Sequence, residues 1–491
     1  MTNDFFSSSF ILVFPAYTVV GSARFLHTNP PSYFENPFRR FATLRGNCLV
    51  MPLTGGRSMN RRLIAITCVS SLLVIALVLP FSTSASKPVV AGPLEFSGEL
   101  NGAPYRIRVP AVWNGTLLVF AHGYRDKADH PGEIDNRNAD VAPSAALEAP
   151  LLAQGFALAG SAWRDNGWEI EGAIQDTKDL TVLFRSLVGQ PDRTIFWGAS
   201  LGTIVGFESM ERFGGIYDGA LCLCAAGAGS TRIWDAGTAL YLAYDVVFGV
   251  PPSWGTVGEV RNDINFDTEV LAKLAPELSN IANFPKFEFI RLVGQNPGRG
   301  LTPPPPPAFY PGWVLTDMFF LTEARSELQR RAGGPYVQNL DQTYNLTAAE
   351  RAYLNGLGVP NGVIDAWLLQ MNARTNIVAP PAPRNYVEHY ATFNGKIRNP
   401  VLTMHTIIDP LVIVANESAY NETVSAAGRA TDLFQTYTTG NGHCNFTGPQ
   451  ILTAVGAIDN WVRNGVKPTA ASFPAALGFA PGFVPPPFPQ P

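Results

Sequence analysis

Charged residues are scarce in this 491-residue chain, and no stretch is rich in lysine or arginine. They make up 15% of the sequence, and the formal net charge is only −4. Proteins that bind nucleic acids usually carry a basic face that neutralises phosphates, so this composition argues against a nucleic-acid partner. Histidine is also rare, with six residues, and no group of histidine, cysteine and carboxylate residues has the spacing of a metal site. We therefore expect neither a metal nor an organic cofactor.

An apolar segment at residues 63–81 has the features of an export signal. Arg61 and Arg62 precede it, and the small residues of the sequence STSAS follow it. This arrangement predicts a signal peptide at 59–85 and an exported protein, secreted or periplasmic. Residues 1–58 would then be an upstream extension outside the natural chain, or a disordered segment. If the leader were not cleaved, it would anchor the protein in a membrane.

Apolar runs alternate with amphipathic segments in residues 86–228. An Asn-Gly pair within 93–110 predicts a hairpin. Continuous apolar runs predict strands and apolar residues three and four positions apart predict helices: the strands are 113–124, 155–163, 193–200 and 218–227, and the helices are 172–189 and 201–215. Alternation of this kind is typical of a parallel sheet with helices on both faces.

The alternation stops at residues 229–395. This stretch has helical patterns but no strand pattern, and it contains five consecutive prolines at 303–307. We interpret it as a mainly helical insertion. The sheet pattern returns in 396–466, and a proline-rich tail follows at 467–491: the later elements are strands at 399–410 and 432–440 and a helix at 449–464.

The pentapeptide GASLG at 198–202 lies between a predicted strand and a predicted helix. Gly-x-Ser-x-Gly in this position is typical of a sharp turn that exposes a nucleophilic serine, here Ser200. The glycines allow other main-chain segments to come close to the turn. The alternative is an ordinary turn built from small residues.

A serine hydroxyl needs a base that accepts its proton and an acid that orients the base. Asp409 directly follows one predicted strand, and His443 follows the next. Because the carboxyl ends of parallel strands meet at one edge of a sheet, we expect Ser200, Asp409 and His443 to converge there. His405 lies inside a strand and is interpreted as a packed core residue.

The negative charge that develops on an attacked carbonyl oxygen needs fixed hydrogen-bond donors. The main-chain N–H of Leu201, next to the serine, is one candidate. The other is the N–H of Tyr124, in the loop after the strand that ends at His122–Gly123.

These segments together resemble the α/β-hydrolase family: AHGY at the oxyanion strand, GASLG at the nucleophile turn, TIIDP at the acid and GNGHC at the histidine loop. The resemblance covers roughly 90–228 and 396–466. It implies a mostly parallel eight-stranded sheet, with 229–395 as a cap inserted after the sixth strand. The family's catalytic residues map onto Ser200, Asp409 and His443.

Three cysteines, Cys222, Cys224 and Cys444, lie beyond the predicted leader. An odd number in an exported chain favours one disulfide and one free thiol. Cys224 is nearer the catalytic end of its strand, so a disulfide with Cys444 would hold the histidine loop. Such a bond resembles the one in tannases and feruloyl esterases, although Ala199 and not cysteine precedes the serine here. Three unpaired thiols are the alternative.

Trp163 and Trp168 follow the end of another predicted strand on the catalytic side. They could line the substrate pocket, or they could be structural.

The sequence thus predicts an exported serine hydrolase that cleaves small-molecule carboxylic esters through an acyl-enzyme. A serine peptidase of the same fold, similar to an aminopeptidase, is the second hypothesis, because Glu323, Glu327 or Asp365 could hold a substrate ammonium. A non-catalytic binding protein is the third, although such a protein would be expected to lack one of the three catalytic residues.

Overall fold

The computed structural model describes residues 92–301 and 310–489. The predicted signal peptide at 59–85, the extension at 1–58 and the prolines at 303–307 lie outside the described residues. Within the described part of the chain, no helix combines the length and apolar character needed to cross a membrane.

The centre of the fold is an eight-stranded sheet in the order β1-β2-β4-β3-β5-β6-β7-β8. Strands β1 and β2 pair antiparallel, β2 pairs antiparallel with β4, and all later neighbours pair in parallel. The strands are β1 (Leu94–Leu100), β2 (Ala103–Val109), β3 (Thr116–Ala121), β4 (Ala157–Ser161), β5 (Arg193–Ala199), β6 (Gly219–Leu223), β7 (Val401–Ile408) and β8 (Leu433–Asn441). The predicted fold class, an α/β-hydrolase sheet with a helical insertion, is confirmed.

Local sequence explains why these strands form where they do. The β1–β2 turn is Asn101–Gly102, and both residues have positive φ, 54° and 85°. Asn-Gly is the preferred pair for a tight hairpin turn of this hand. Every residue of β3 and β6 is buried, as expected for parallel strands covered on both faces.

Helices cover both faces of the sheet. Side chains from α1 and α13 share one apolar core with the sheet, and those from α2 and α3 lie in the cores on the other side. The helices are α1 (Ala145–Ala153), α2 (Ile170–Leu187), α3 (Leu201–Arg212), α4 (Gly229–Phe248), α5 (Leu271–Ser279), α6 (Phe284–Val293), α7 (Tyr310–Phe319), α8 (Arg325–Ala332), α9 (Ala348–Gly356), α10 (Asn361–Asn372), α11 (Pro381–Ala391), α12 (Asn416–Ala426) and α13 (Gly448–Asn464).

Helices α4 to α11 all lie between β6 and β7, where the helical insertion was predicted. Within this insertion, a π-helical turn at Phe320–Ala324 separates α7 from α8. Helices α1 and α12 were not predicted: α1 contains Pro150, and α12 is polar along most of its length. Such segments lack the apolar periodicity from which helices are predicted.

Candidate active site

Ser200 occupies a strained turn between β5 and α3. Its φ and ψ are 54° and −123°, a conformation that is costly for a residue with a Cβ and that recurs at functional sites. A Cβ on Gly198 would lie 2.6 Å from the Gly202 carbonyl oxygen, and a Cβ on Gly202 would lie 2.2 Å from the Ala121 carbonyl oxygen. The two glycines of GASLG are therefore required by the close approach of the main chain.

The structure brings Ser200, His443 and Asp409 together. His443 Nε2 is 2.8 Å from Ser200 Oγ, and His443 Nδ1 is 2.8 Å from Asp409 Oδ2. Main-chain anchors hold the histidine loop against β7: Gly442 donates its N–H to the Ile408 carbonyl oxygen at 2.7 Å, and its own carbonyl accepts from Thr406. Proton transfer from the serine hydroxyl to the imidazole is therefore geometrically direct.

Asp409 is completely buried, and both of its carboxylate oxygens have donors. Oδ1 accepts the N–H groups of Leu411 and Val412 at 2.9 Å each, which leaves Oδ2 for His443. Burial alone would raise the pKa of this carboxyl, but His443 and His405 outweigh it and lower the pKa below its usual range. Asp409 is therefore ionised at neutral pH and fixed in orientation.

His405 lies behind Asp409 and was expected to be only a packed core residue. Its Nε2 is 2.8 Å from the Val412 carbonyl oxygen and 3.5 Å from Asp409 Oδ2, and its Nδ1 is 3.1 Å from Glu417 Oε1. Burial would lower the pKa of His405, but hydrogen bonds to Asp409 and Glu417 raise it to about 10. The ring is thus an imidazolium between two buried carboxylates. Glu417 could not be predicted as a partner of His405, because it lies on α12, a polar helix without an apolar pattern.

The two predicted oxyanion donors belong to segments that both adjoin Ser200. Leu201 begins α3, and the loop after β3 passes so close that a Cβ on Gly123 would contact the Ser200 Cβ at 3.4 Å. Among residues 92–301 and 310–489, neither the Leu201 N–H nor the Tyr124 N–H has a hydrogen-bond acceptor. Two such donors beside a nucleophile can bind a developing oxyanion.

A cavity of about 100 Å³ opens beside Ser200. Its wall is mainly apolar and comes chiefly from the helical insertion, with further residues from the loops after β3, β4 and β6, from the segment after Asp409 and from the C-terminal tail. Trp168, Trp234, Phe320 and the tail residue Phe488 contribute aromatic surface. A small apolar group is the natural occupant of such a cavity.

Of the two tryptophans proposed for the pocket, only Trp168 lies in the cavity wall. Trp163 is 1% exposed, and its ring packs on His122 with centroids 3.7 Å apart. Its indole N–H donates to Thr177 at 3.2 Å. Trp163 therefore supports the loop that carries Tyr124 and does not contact the cavity, which corrects the expectation for this residue.

A carboxyl group that sequence reasoning missed, Asp317 of α7, also lines the cavity. Asn296 donates its amide to Asp317 Oδ2 at 3.1 Å and to the Pro410 carbonyl oxygen at 2.6 Å. Burial, together with the nearby charge of Asp409, raises the pKa of Asp317 well above its usual range. No local motif marks either residue, because only the packing of the insertion against the Asp409 loop brings them here.

The carboxylates considered for an ammonium site lie elsewhere. Glu323, Glu327 and Asp365 are not among the residues of the cavity wall. Glu327 accepts the Trp168 N–H and pairs with Arg331, and Asp365 pairs with Arg351 on the surface.

Cys224 and Cys444 lie at disulfide-bonding distance, with Cα atoms 5.1 Å apart, while Cys222 is a buried free thiol. Cys224 directly follows β6, and Cys444 directly follows His443. The pair therefore agrees with the sequence-based pairing and would tie the histidine loop to the centre of the sheet.

The double variant Cys224→Ala/Cys444→Ala is expected to lose about 2–5 kcal/mol of unfolding free energy, because the bond would close a very long loop. The separation of the two cysteines is 220 residues. Urea unfolding of the two proteins measures the difference. Cys222→Ala is the matched control, since it removes a neighbouring sulfur without a cross-link, and we expect about 1 kcal/mol for it. Equal losses in both variants would argue against the bond.

No protein-family model matches the chain. In sequence, it is 32% identical over 137 residues to an o-phthalyl amidase of Xanthobacter agilis. This match covers 27% of the chain and 26% of the amidase, so it spans about a quarter of the relative.

Solved structures with similar coordinates include several hydrolases. Feruloyl esterase B of Aspergillus oryzae has 15% identity and a TM-score of 0.36, with 76% of this chain and 82% of that chain covered. Epoxide hydrolase A of Mycobacterium thermoresistibile has 17% identity and a TM-score of 0.35, with 76% and 99% covered. The strand order of the sheet and the Ser200 turn, both seen in this chain's own structure, give it the α/β-hydrolase fold.

Proposed function

We propose that this protein is an exported serine hydrolase that cleaves carboxylic esters through an acyl-enzyme. The observation that carries the proposal is the continuous hydrogen-bonded line from Ser200 through His443 to Asp409, with distances of 2.8 Å at both links. Export is supported by the predicted leader and by the cysteine pair at bonding distance. The substrate would be a small molecule, and neither nucleic acid nor a cofactor has a role.

In the first half of the reaction, Ser200 Oγ attacks the ester carbonyl while His443 Nε2 takes its proton. The carbonyl oxygen becomes negative, and the Tyr124 and Leu201 N–H groups stabilise it. His443 then gives the proton to the departing alcohol, which leaves an acyl group on Ser200. Asp409 keeps the His443 proton on Nδ1 and stabilises the imidazolium that forms in between.

In the second half, His443 activates a water molecule that attacks the acyl group. The same two N–H groups stabilise the second oxyanion, and the proton returns from His443 to Ser200 as the acid leaves. The apolar cavity supports a short acyl or alcohol group with little charge. Asp317 lines the same cavity, and burial raises the pKa of its carboxyl.

Amide hydrolysis is the second candidate, favoured by the local sequence similarity to an amidase. The same three side chains can transfer an acyl group from nitrogen. The fixed glutamates outside the cavity give no support to the aminopeptidase form of this hypothesis.

A fluorophosphonate probe tests the nucleophile. We expect it to label the wild type and not Ser200→Ala, because the probe requires an activated serine hydroxyl. Equal labelling of the two proteins would reject Ser200. Ser186→Ala, which removes a surface hydroxyl on α2 whose Oγ bonds the Leu183 carbonyl, is the control and should label fully. The kcat/KM values for short-chain esters and for amides of the same acids then distinguish ester hydrolysis from amide hydrolysis, since the higher value identifies the preferred bond.

A further inference from the structure

Three carboxyl groups and one histidine meet between the loop after β3 and the helical insertion. His130 and Glu133 come from the loop, and Glu323 comes from the π-helical turn Phe320–Ala324. One donor atom from each of these three side chains lies within 4.8 Å of the other two. Asp126 of the same loop forms a hydrogen bond with Glu323. Sequence spacing could not indicate this group, because Glu323 is remote from the other members along the chain.

The carboxyl groups of this cluster lack a basic partner. In the described ranges, no lysine or arginine lies at ion-pair distance from Asp126, Glu133 or Glu323. The nearby basic residues are engaged elsewhere, Lys127 with Asp165 and Arg330 with Asp129. Glu323 is only 5% exposed, and burying carboxylates without a compensating cation is costly.

The ring of His130 has one nitrogen, Nε2, without a hydrogen-bond partner at this cluster. Its Nε2 is buried and has no hydrogen-bond partner, and its side chain is 13% exposed. The nearest carboxylate oxygens are Asp129 Oδ1 at 3.5 Å and Glu323 Oε2 at 4.0 Å. A buried ring nitrogen without a partner is unusual and requires an explanation. A metal ion at this point would coordinate His130 Nε2 and would also neutralise the charge of the neighbouring carboxylates.

The surrounding groups already orient the potential ligands. The Glu133 carboxylate accepts a hydrogen bond from the main-chain N–H of His130 at 2.8 Å and another from the Asn265 side-chain amide at 3.2 Å. Glu323 accepts the N–H of Phe266. Ligands held in this way lose little freedom when an ion binds, and such outer hydrogen bonds contribute to metal affinity.

We propose that His130, Glu133 and Glu323 bind a divalent transition-metal ion, with Zn²⁺ the best fit. One imidazole nitrogen and two carboxylates form a ligand set that Zn²⁺ accepts, with a fourth position for water. Asp126 is available beside Glu323 as a further oxygen ligand or as a hydrogen-bond partner. The proposal is independent of the ester hydrolysis proposed above.

The ion would link the loop after β3, which carries Tyr124, to the helical insertion, which carries Glu323. Tyr124, whose side chain lines the cavity, donates its hydroxyl to Asp126 at 3.2 Å. The ion therefore has a structural role, since it would fix the loop that carries the Tyr124 N–H, and no step of the reaction passes through it.

Titration of chelator-treated protein with ZnCl₂ in a calorimeter tests the proposal. We expect one equivalent to bind to the wild type at pH 7. Glu323→Gln and His130→Gln should each weaken binding by at least about tenfold and remove the Zn²⁺-dependent rise in Tm. Circular dichroism of each variant confirms that it is folded.

His443→Ala is the matched control, because His443 with the sulfurs of Cys224 and Cys444 forms a second group that could hold an ion. This variant should keep the single Zn²⁺ equivalent. The proposal would be overturned by a wild type that binds no Zn²⁺, by loss of binding in His443→Ala alone, or by unchanged affinity in both cluster variants. If the variants did not fold, X-ray absorption spectroscopy of the Zn²⁺-loaded wild type would replace them, since sulfur ligands would contradict a site built from His130, Glu133 and Glu323. CaCl₂ in place of ZnCl₂ checks the ion class, since tighter binding of Ca²⁺ would exclude the imidazole as a ligand.

Discussion

Replacing His443 with alanine is expected to lower kcat for an ester substrate by about a millionfold. Without the ring at 2.8 Å, Ser200 Oγ has no group that can take its proton. The Tyr124 and Leu201 N–H groups would remain, so a small rate above that of water should persist. Steady-state kinetics on a purified, folded variant measure the loss.

The double variant Ser200→Ala/His443→Ala makes this prediction more specific. When two residues act in the same step, removing the second costs little once the first is gone. The kcat of the double variant should therefore be no lower than that of either single variant. His389→Ala removes an exposed histidine at the end of α11 and should leave kcat unchanged. Multiplicative losses in the double variant would mean that Ser200 and His443 act separately, contrary to the proposed mechanism.

The parts of the site that could be predicted from sequence are those with local signals. GASLG requires a tight turn wherever it occurs between a strand and a helix, and the carboxyl ends of β7 and β8 had to face the same side as β5. The order of these elements along the chain was therefore enough to predict that Ser200, Asp409 and His443 would meet.

The residues that sequence reasoning missed depend on contacts between distant segments. Asp317 becomes part of the cavity only because Asn296 links α7 to the Asp409 loop. His405 looked like an ordinary buried ring until α12 brought Glu417 to it. Trp163 followed a strand on the catalytic side, but its ring packs on His122 of the loop after β3 and not in the cavity wall. Neither periodicity nor motif spacing encodes such packing.

Asp409→Asn is expected to reduce kcat by about 10⁴-fold while leaving the fold intact. The reason lies in the two main-chain donors that hold Oδ1, from Leu411 and Val412. An asparagine would keep its oxygen on these donors and therefore turn its NH₂ group toward His443 Nδ1. Nδ1 would then have to act as an acceptor, which puts the imidazole proton on Nε2. A ring in that tautomer cannot accept the Ser200 proton.

The variant His405→Gln distinguishes this effect on the His443 tautomer from the effect of removing the charge of His405 beside Asp409. The variant removes the imidazolium 3.5 Å from Asp409 Oδ2, yet the carboxylate keeps both main-chain donors and its contact with His443. We therefore expect a loss in kcat much smaller than that of Asp409→Asn, measured on the same ester at the same pH. If His405→Gln were as slow as Asp409→Asn, the charge of His405 and not the tautomer of His443 would be the main contribution of this buried network. If Asp409→Asn retained nearly full activity, Asp409 would not be the residue that orients His443. Because the Leu411 and Val412 N–H groups hold Oδ1 without help from His405, the structure supports the smaller loss for His405→Gln.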